Sequence, residues 1–191
     1  MKKAVVFIAD GSEEIETLTP VDYLRRAGVE VSLVSVGTAG RTVGMAHGVS
    51  VNADVTLETY LSDSGNALPD AVVIPGGMPG ASNIADSRSA VDFIRKMNDD
   101  GRLVCSICAS PAIVLSKTGA LEGKKWTCYP GMSGEAGAAV KTHVDGVPFV
   151  HDGNLITGRG PGASEQFSME IVTALVGSSV AADIKKGSCQ R

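Results

Sequence analysis

Short runs of β-branched and small apolar residues alternate along the chain with longer stretches in which apolar positions recur every three or four residues. That alternation predicts βα units wound around a mostly parallel sheet. Ala4 to Ala9 reads as the first strand, ended by Asp10-Gly11. From about Glu14 to Ala27, Ile15, Leu18, Val21 and Leu24 fall at helical spacing, and Gly28 is placed as the C-terminal stop. Val29 to Val36 is the second strand, and the Gly-rich stretch from Arg41 to Val51 predicts a small hairpin or edge excursion outside the core.

Ala71 to Ile74 is the next buried strand, broken by Pro75-Gly76-Gly77. Beyond a further loop, Ser89 to Met97 predicts a helix with Val91, Ile94 and Met97 on one face. Leu103 to Ile107 predicts another core strand, running into a helix from about Ser110 to Ser116. The stretch from Gly131 to Ala139 reads as a flexible loop, Phe149 to Ile156 as a hairpin around Asp152-Gly153, and about Ala163 to Val176 as the last helix.

Composition narrows this picture. A chain of 191 residues with 43% hydrophobic positions suits a single domain over residues 1–191. Its net charge of −4 comes with no basic run, which disfavours a nucleic-acid surface. The apolar run after Lys2-Lys3 is shorter than the roughly 7–15 residues of a signal peptide, and none approaches the roughly 20 of a membrane helix. A cytoplasmic protein is expected, with Cys105, Cys108, Cys128 and Cys189 reduced.

Ligands of open parallel sheets bind at the carboxyl ends of the strands, near a switch in strand order. Three turns fall at such ends: Gly11 to Glu16, Pro75-Gly76-Gly77, and Cys108-Ala109. A cysteine at a strand-to-helix turn sits beside unpaired N–H groups and the positive end of a helix, which predicts a lowered thiol pKa and a nucleophile at Cys108. Cys105 lies roughly 10 Å away along an extended strand, too far for a disulfide, and reads as a packed residue. No zinc-type ligand spacing follows.

The Pro75-Gly76-Gly77 turn leaves N–H groups that can face a reacting oxygen. Glu13 and Glu14 read as a solvated first turn, whereas Glu16 falls near the apolar face, where a carboxyl can keep a proton at neutral pH. Arg159-Gly160-Pro161-Gly162 is placed to shape a pocket rim. His47, His143 and His151 read as surface or structural residues.

Together, Gly11-Ser12-Glu13-Glu14-Ile15-Glu16-Thr17, Pro20-Val21-Asp22, Arg25-Arg26-Ala27-Gly28, Pro75-Gly76-Gly77, Ile107-Cys108-Ala109 and Arg159-Gly160-Pro161-Gly162 resemble the ThiJ/PfpI superfamily. The similarity is strongest to the branch of the parkinsonism-associated DJ-one protein and its bacterial relatives. It implies a flavodoxin-like three-layer α/β sandwich, a homodimer, Cys108 as nucleophile and Glu16 as its carboxyl partner. Gly77 and Ala109, with Gly76, match the positions whose amides serve the substrate oxygen, and Tyr129, Arg159 and Pro161 match positions around the pocket.

The implied activity is a glutathione-independent, glyoxalase III-like or deglycase reaction on methylglyoxal, glyoxal or their early adducts. It needs no cofactor or metal and is tied to oxidative and carbonyl stress. The alternative is a redox sensor or redox-regulated chaperone acting through oxidation of Cys108 to a sulfinic acid. Peptidase activity is disfavoured, because Ala109 stands where peptidase branches carry a histidine. Two departures are visible. Tyr129 precedes Pro130 where the animal branch has a histidine, and His47 replaces an arginine at the dimer interface, where it could pair with Arg26.

Overall fold

The computed structural model describes residues 1–65 and 67–190. Seven strands form one sheet in the order β5-β2-β1-β6-β7-β9-β8. These are β1 (Lys3–Ile8), β2 (Glu30–Ser35), β5 (Val55–Thr56), β6 (Ala71–Ile74), β7 (Leu103–Ile107), β8 (Phe149–Asp152) and β9 (Leu155–Gly158). All neighbours are parallel except β8, which returns antiparallel to β9. The near-continuous apolar runs of β1 and β6 follow from burial on both faces of a parallel sheet.

The helices are α1 (Glu14–Arg26), α2 (Leu57–Asp63), α3 (Gly80–Asp86), α4 (Arg88–Asp99), α5 (Ser110–Ile113), α6 (Ser164–Val176) and α7 (Ser178–Gly187). They flank the sheet, and the fold is the expected α/β sandwich. Phe93 of α4 sits between Phe7 of β1 and Tyr60 of α2, with ring centroids 5.6 and 6.1 Å away. From β1 the chain moves to β2 on one side, and β6 returns on the other. The switch point therefore lies between the carboxyl ends of β1 and β6, where Gly11 to Glu16 and Pro75 to Gly77 are found.

Several elements differ from the sequence expectation. On α1 the buried positions include Thr17, Pro20, Val21 and Leu24, while Ile15 and Leu18 are exposed by 53% and 40%. Helical spacing marks a helix but does not say which neighbours cover it. The predicted hairpin forms, from β3 (Thr42–Gly44) and β4 (Ser50–Asn52), as a separate two-stranded sheet. Elements β5, α2, α3 and α7 fall where no element was predicted.

The predicted flexible loop is largely a kinked 3₁₀ segment, Ser133–Thr142, broken at Gly137. It is tied down by the fully buried Trp126, whose indole N–H donates to the Ala139 carbonyl at 2.8 Å. Trp126→Ala is expected to destabilise the protein by about 3–5 kcal/mol, read as a lower urea midpoint, because it leaves a large cavity under this segment.

Candidate active site

Strand β7 delivers Cys108 directly into α5, and the cysteine takes a left-handed φ of 65°. A non-glycine residue in that region costs on the order of 1–3 kcal/mol and persists only when its surroundings fix it. Here they do. The Cys108 N–H donates to the Gly158 carbonyl at 2.9 Å, and its own carbonyl accepts the Tyr129 N–H at 2.8 Å. The Ser110 hydroxyl donates to the Pro75 carbonyl, tying this elbow to the turn after β6.

Glu16 arrives from the first turn of α1. Glu13 is the N-cap residue of that helix, and its Oε2 accepts the Glu16 N–H at 2.7 Å. The Glu16 side chain has no solvent exposure, and its Oε2 accepts the Gly76 N–H at 2.9 Å. Its Oε1 is buried without a hydrogen-bond partner. Burial raises the Glu16 pKa from 4.5 to about 7, with the charge of Glu13 adding to it and the neighbouring Cys108 and Gly76 opposing it. A carboxyl of this kind exchanges its proton near neutral pH.

The Cys108 thiol, in contrast, is pushed up. Burial is the largest cause, followed by the charge of Glu16 and its hydrogen bonding, while the Gly77 and Ala109 amides favour the thiolate. This corrects the expectation of a lowered thiol pKa. Helix α5 is a single turn of four residues, and its end contributes less than desolvation and an adjacent carboxylate. Cys108 is only 8% exposed, so the site holds one negative charge between two buried acids and resists a second.

The glycines are dictated by this packing. A Cβ on Gly76 would lie 2.6 Å from the Cys108 Cβ and 2.7 Å from Glu16 Oε2. Gly77 has a φ of +85°, and a Cβ there would collide with the Gly11 carbonyl and the Glu13 amide. The assignment of Gly76 to the substrate oxygen is corrected, because its N–H is already used by Glu16. The Gly77 and Ala109 amides favour the thiolate form of Cys108.

Tyr129, Arg159 and Pro161 line one cavity of about 510 Å³, walled also by Pro130, Pro148 and Gln166. Its two walls continue from the residues bonded to Cys108, since Tyr129 donates to the cysteine and Gly158 precedes Arg159. Arg26 pairs instead with Asp22 at 2.7 Å, one helical turn away, and His47 with Glu14 at 2.9 Å. The pairing of His47 with Arg26 is thus not made within the chain.

Glu13 and Glu14 are buried, which corrects their reading as solvated. The loop between β3 and β4 folds over them, so that the His47 N–H and ring both reach Glu14. Glu13, Glu14 and His47 bring one ligand atom each within 4.8 Å of the others, but His47 and Glu14 are already engaged with each other, and we assign this group no metal. Cys105 is fully buried in β7, as expected. The sequence did not point to the pair of Cys128 and His143, whose Sγ and Nε2 lie 3.7 Å apart beside Trp126, because their 15-residue separation matches no motif. His151 pairs with Glu170 at 2.7 Å.

Residues 2–174 match the DJ-1/PfpI family. The chain is 36% identical over 186 residues to protein dj-1beta of Drosophila melanogaster, covering 97% of this chain and 96% of that one. It is 34% identical over 173 residues to a protein of Pyrococcus abyssi named as a deglycase, covering 91% of this chain and 99% of that one. The chain spans 40% and 45% of the length of two Arabidopsis thaliana DJ-1 homologues that it also matches. Among solved structures, oxidized Toxoplasma gondii DJ-1 superposes with a TM-score of 0.90 at 33% identity, covering 99% of this chain and 98% of that one. Among the described residues, no helix is long and apolar enough to cross a membrane.

Proposed function

This chain belongs to the DJ-1/PfpI family, and from that premise we propose that it is a glutathione-independent glyoxalase or deglycase acting on methylglyoxal, glyoxal or their early adducts. The observation that carries this reading is the sealed Glu16 carboxyl beside Cys108, with a pKa of about 7. Such a group can take a proton from one atom and return it to another at neutral pH. The Pyrococcus relative named as a deglycase supports the same class of chemistry.

In the proposed sequence, ionised Glu16 takes the Cys108 proton as sulfur adds to the aldehyde carbon. The proton passes to the new alkoxide, giving a hemithioacetal and restoring the carboxylate. Glu16 then removes the hydrogen from that carbon and returns it to the neighbouring one, while the hemithioacetal O–H proton passes to the former ketone oxygen, turning the adduct into a thioester. Water hydrolyses the thioester, releasing lactate and the free thiol. Gly77 and Ala109 hold the sulfur while it carries charge. Tyr129 stands where the animal branch has a histidine and serves as a hydrogen-bond donor through its phenol O–H.

Because Glu16 must start ionised, kcat/KM for methylglyoxal is expected to rise through a pH of about 7, tenfold per pH step below it. Lactate formation without glutathione, followed from pH 5 to 8, tests this. A flat profile, or no lactate at any pH, would remove the mechanism.

The thiolate-favouring Gly77 and Ala109 amides also support a second reading, in which two equivalents of peroxide oxidise Cys108 through a sulfenic to a sulfinic acid that protonated Glu16 stabilises. We further propose a homodimer in the cytoplasm built from this single domain. The face that carries Arg26 and His47, next to the exposed Ile15 and Leu18 of α1, is the candidate interface.

A further inference from the structure

The cavity lined by Tyr129 and Arg159 is not lined by Cys108 itself but is walled by the segments bonded to it, through the Tyr129 N–H and the Gly158 carbonyl, and it is far larger than a three-carbon dicarbonyl requires. Its volume of about 510 Å³ lies within the roughly 300–1,000 Å³ range of sites that enclose much larger ligands. Pro130, Pro148 and Pro161 give it rigid apolar walls that offer no backbone N–H.

Arg159 is the one charged residue among the described residues that line this cavity, beside the neutral polar side chains of Tyr129 and Gln166. Arg159 is exposed, its backbone N–H is held by the Pro148 carbonyl at 3.0 Å, and its guanidinium makes no hydrogen bond or ion pair among the described residues. The nearby acids are engaged elsewhere: Asp145 accepts its own loop's Gly146 N–H at 2.8 Å, and Glu165 accepts the Tyr23 hydroxyl at 3.1 Å. Helix α6, thirteen residues long, starts at the same wall. Its N-cap residue Ala163 lines the cavity and supplies no side-chain cap, and Glu165 is the one acid in the helix's first turn.

We propose that this cavity is a subsite for a carboxylate, and that the preferred substrate is an α-oxoaldehyde whose chain carries a carboxylate remote from the reacting carbonyls. The assignment rests on the α-oxoaldehyde chemistry proposed above and names its substrate class. The aldehyde meets Cys108, the chain runs between the proline walls, and the carboxylate meets Arg159 in the forked geometry that guanidinium favours.

The test compares 4,5-dioxopentanoate with its methyl ester, which keeps the reacting carbonyls and removes the charge. For the wild type, kcat/KM should favour the acid by about tenfold, equivalent to about 1.4 kcal/mol. In Arg159→Gln the ratio should fall toward one, and Arg159→Lys should restore part of it. A wild-type ratio near one, or a ratio unchanged in Arg159→Gln, overturns the assignment. Binding of 4-oxopentanoate, which lacks the aldehyde, separates this subsite from the chemistry. NMR titration should show at least tenfold weaker binding in Arg159→Gln and none for the methyl ester. That pattern with no turnover of any aldehyde would retain the carboxylate subsite and discard the glyoxalase reaction, whereas equal binding by both proteins would discard the subsite.

Discussion

Cys108→Ser is expected to reduce lactate formation from methylglyoxal to the uncatalysed background, a loss on the order of 10³-fold or more. The serine hydroxyl would occupy the same left-handed elbow, held by the Gly158 carbonyl and the Tyr129 amide, so the fold around it should persist. What disappears is a sulfur nucleophile whose proton Glu16 can accept. A hydroxyl gives up its proton far less readily and is a weak nucleophile without a strong base. None is at hand, because the groups around Cys108 are the Gly158 carbonyl, the Tyr129, Gly77 and Ala109 amides and the Glu16 carboxyl, with no histidine among them.

The same variant separates the two functional readings. Under mild peroxide the wild type should gain two oxygens at residue 108 and Cys108→Ser none, as judged by intact mass and peptide mapping. Negligible wild-type turnover alongside stoichiometric oxidation would move the assignment to redox sensing. Lactate formation retained in Cys108→Ser would discard the covalent route.

Much of this site was legible because its parts follow strands. The apolar runs Ala4 to Ala9, Ala71 to Ile74 and Leu103 to Ile107 mark three neighbouring strands, and the residues just after them meet at one sheet edge. Glu16 was found by its place on the helix after β1. Glu13 and Glu14 were misread because their burial comes from far along the chain. The Gly11 N–H donates to the Gly44 carbonyl at 2.7 Å, and the Ala46 N–H to the Ser12 carbonyl at 2.9 Å, which folds the small hairpin over the start of α1.

The direction of the Cys108 pKa was misread for a related reason. A helix start is visible in sequence, but the desolvation and the adjacent carboxylate that outweigh it are not. Ile15 and Leu18 show the same limit. Their spacing on α1 is helical, yet Thr17, Val21 and Leu24 are the positions that the rest of the chain covers.

Glu16→Gln is expected to give a protein with lactate formation reduced by about 10²- to 10⁴-fold, the usual worth of a positioned acid–base group, and with altered pH dependence of stability. The carboxamide is nearly isosteric and can still accept the Gly76 N–H through its oxygen. It cannot take the Cys108 proton or carry one between carbons. The stability effect follows from the raised pKa. In the unfolded chain Glu16 titrates near 4.5 and in the folded protein near 7, so between those values the folded state binds more protons. Stability from this group is complete below pH 4.5 and is lost as pH rises through about 7. At about 1.4 kcal/mol for each tenfold change in acidity, the loss is about 3 kcal/mol by pH 8. Glutamine has no charge to bury and escapes it, at a cost of about 1–3 kcal/mol for the amide hydrogens left without partners. Urea unfolding at pH 5 and pH 8 should therefore show a smaller decline in the variant than in the wild type. Equal declines would mean that ionised Glu16 is not disfavoured by burial, and the acid–base role assigned to it would lose its physical basis.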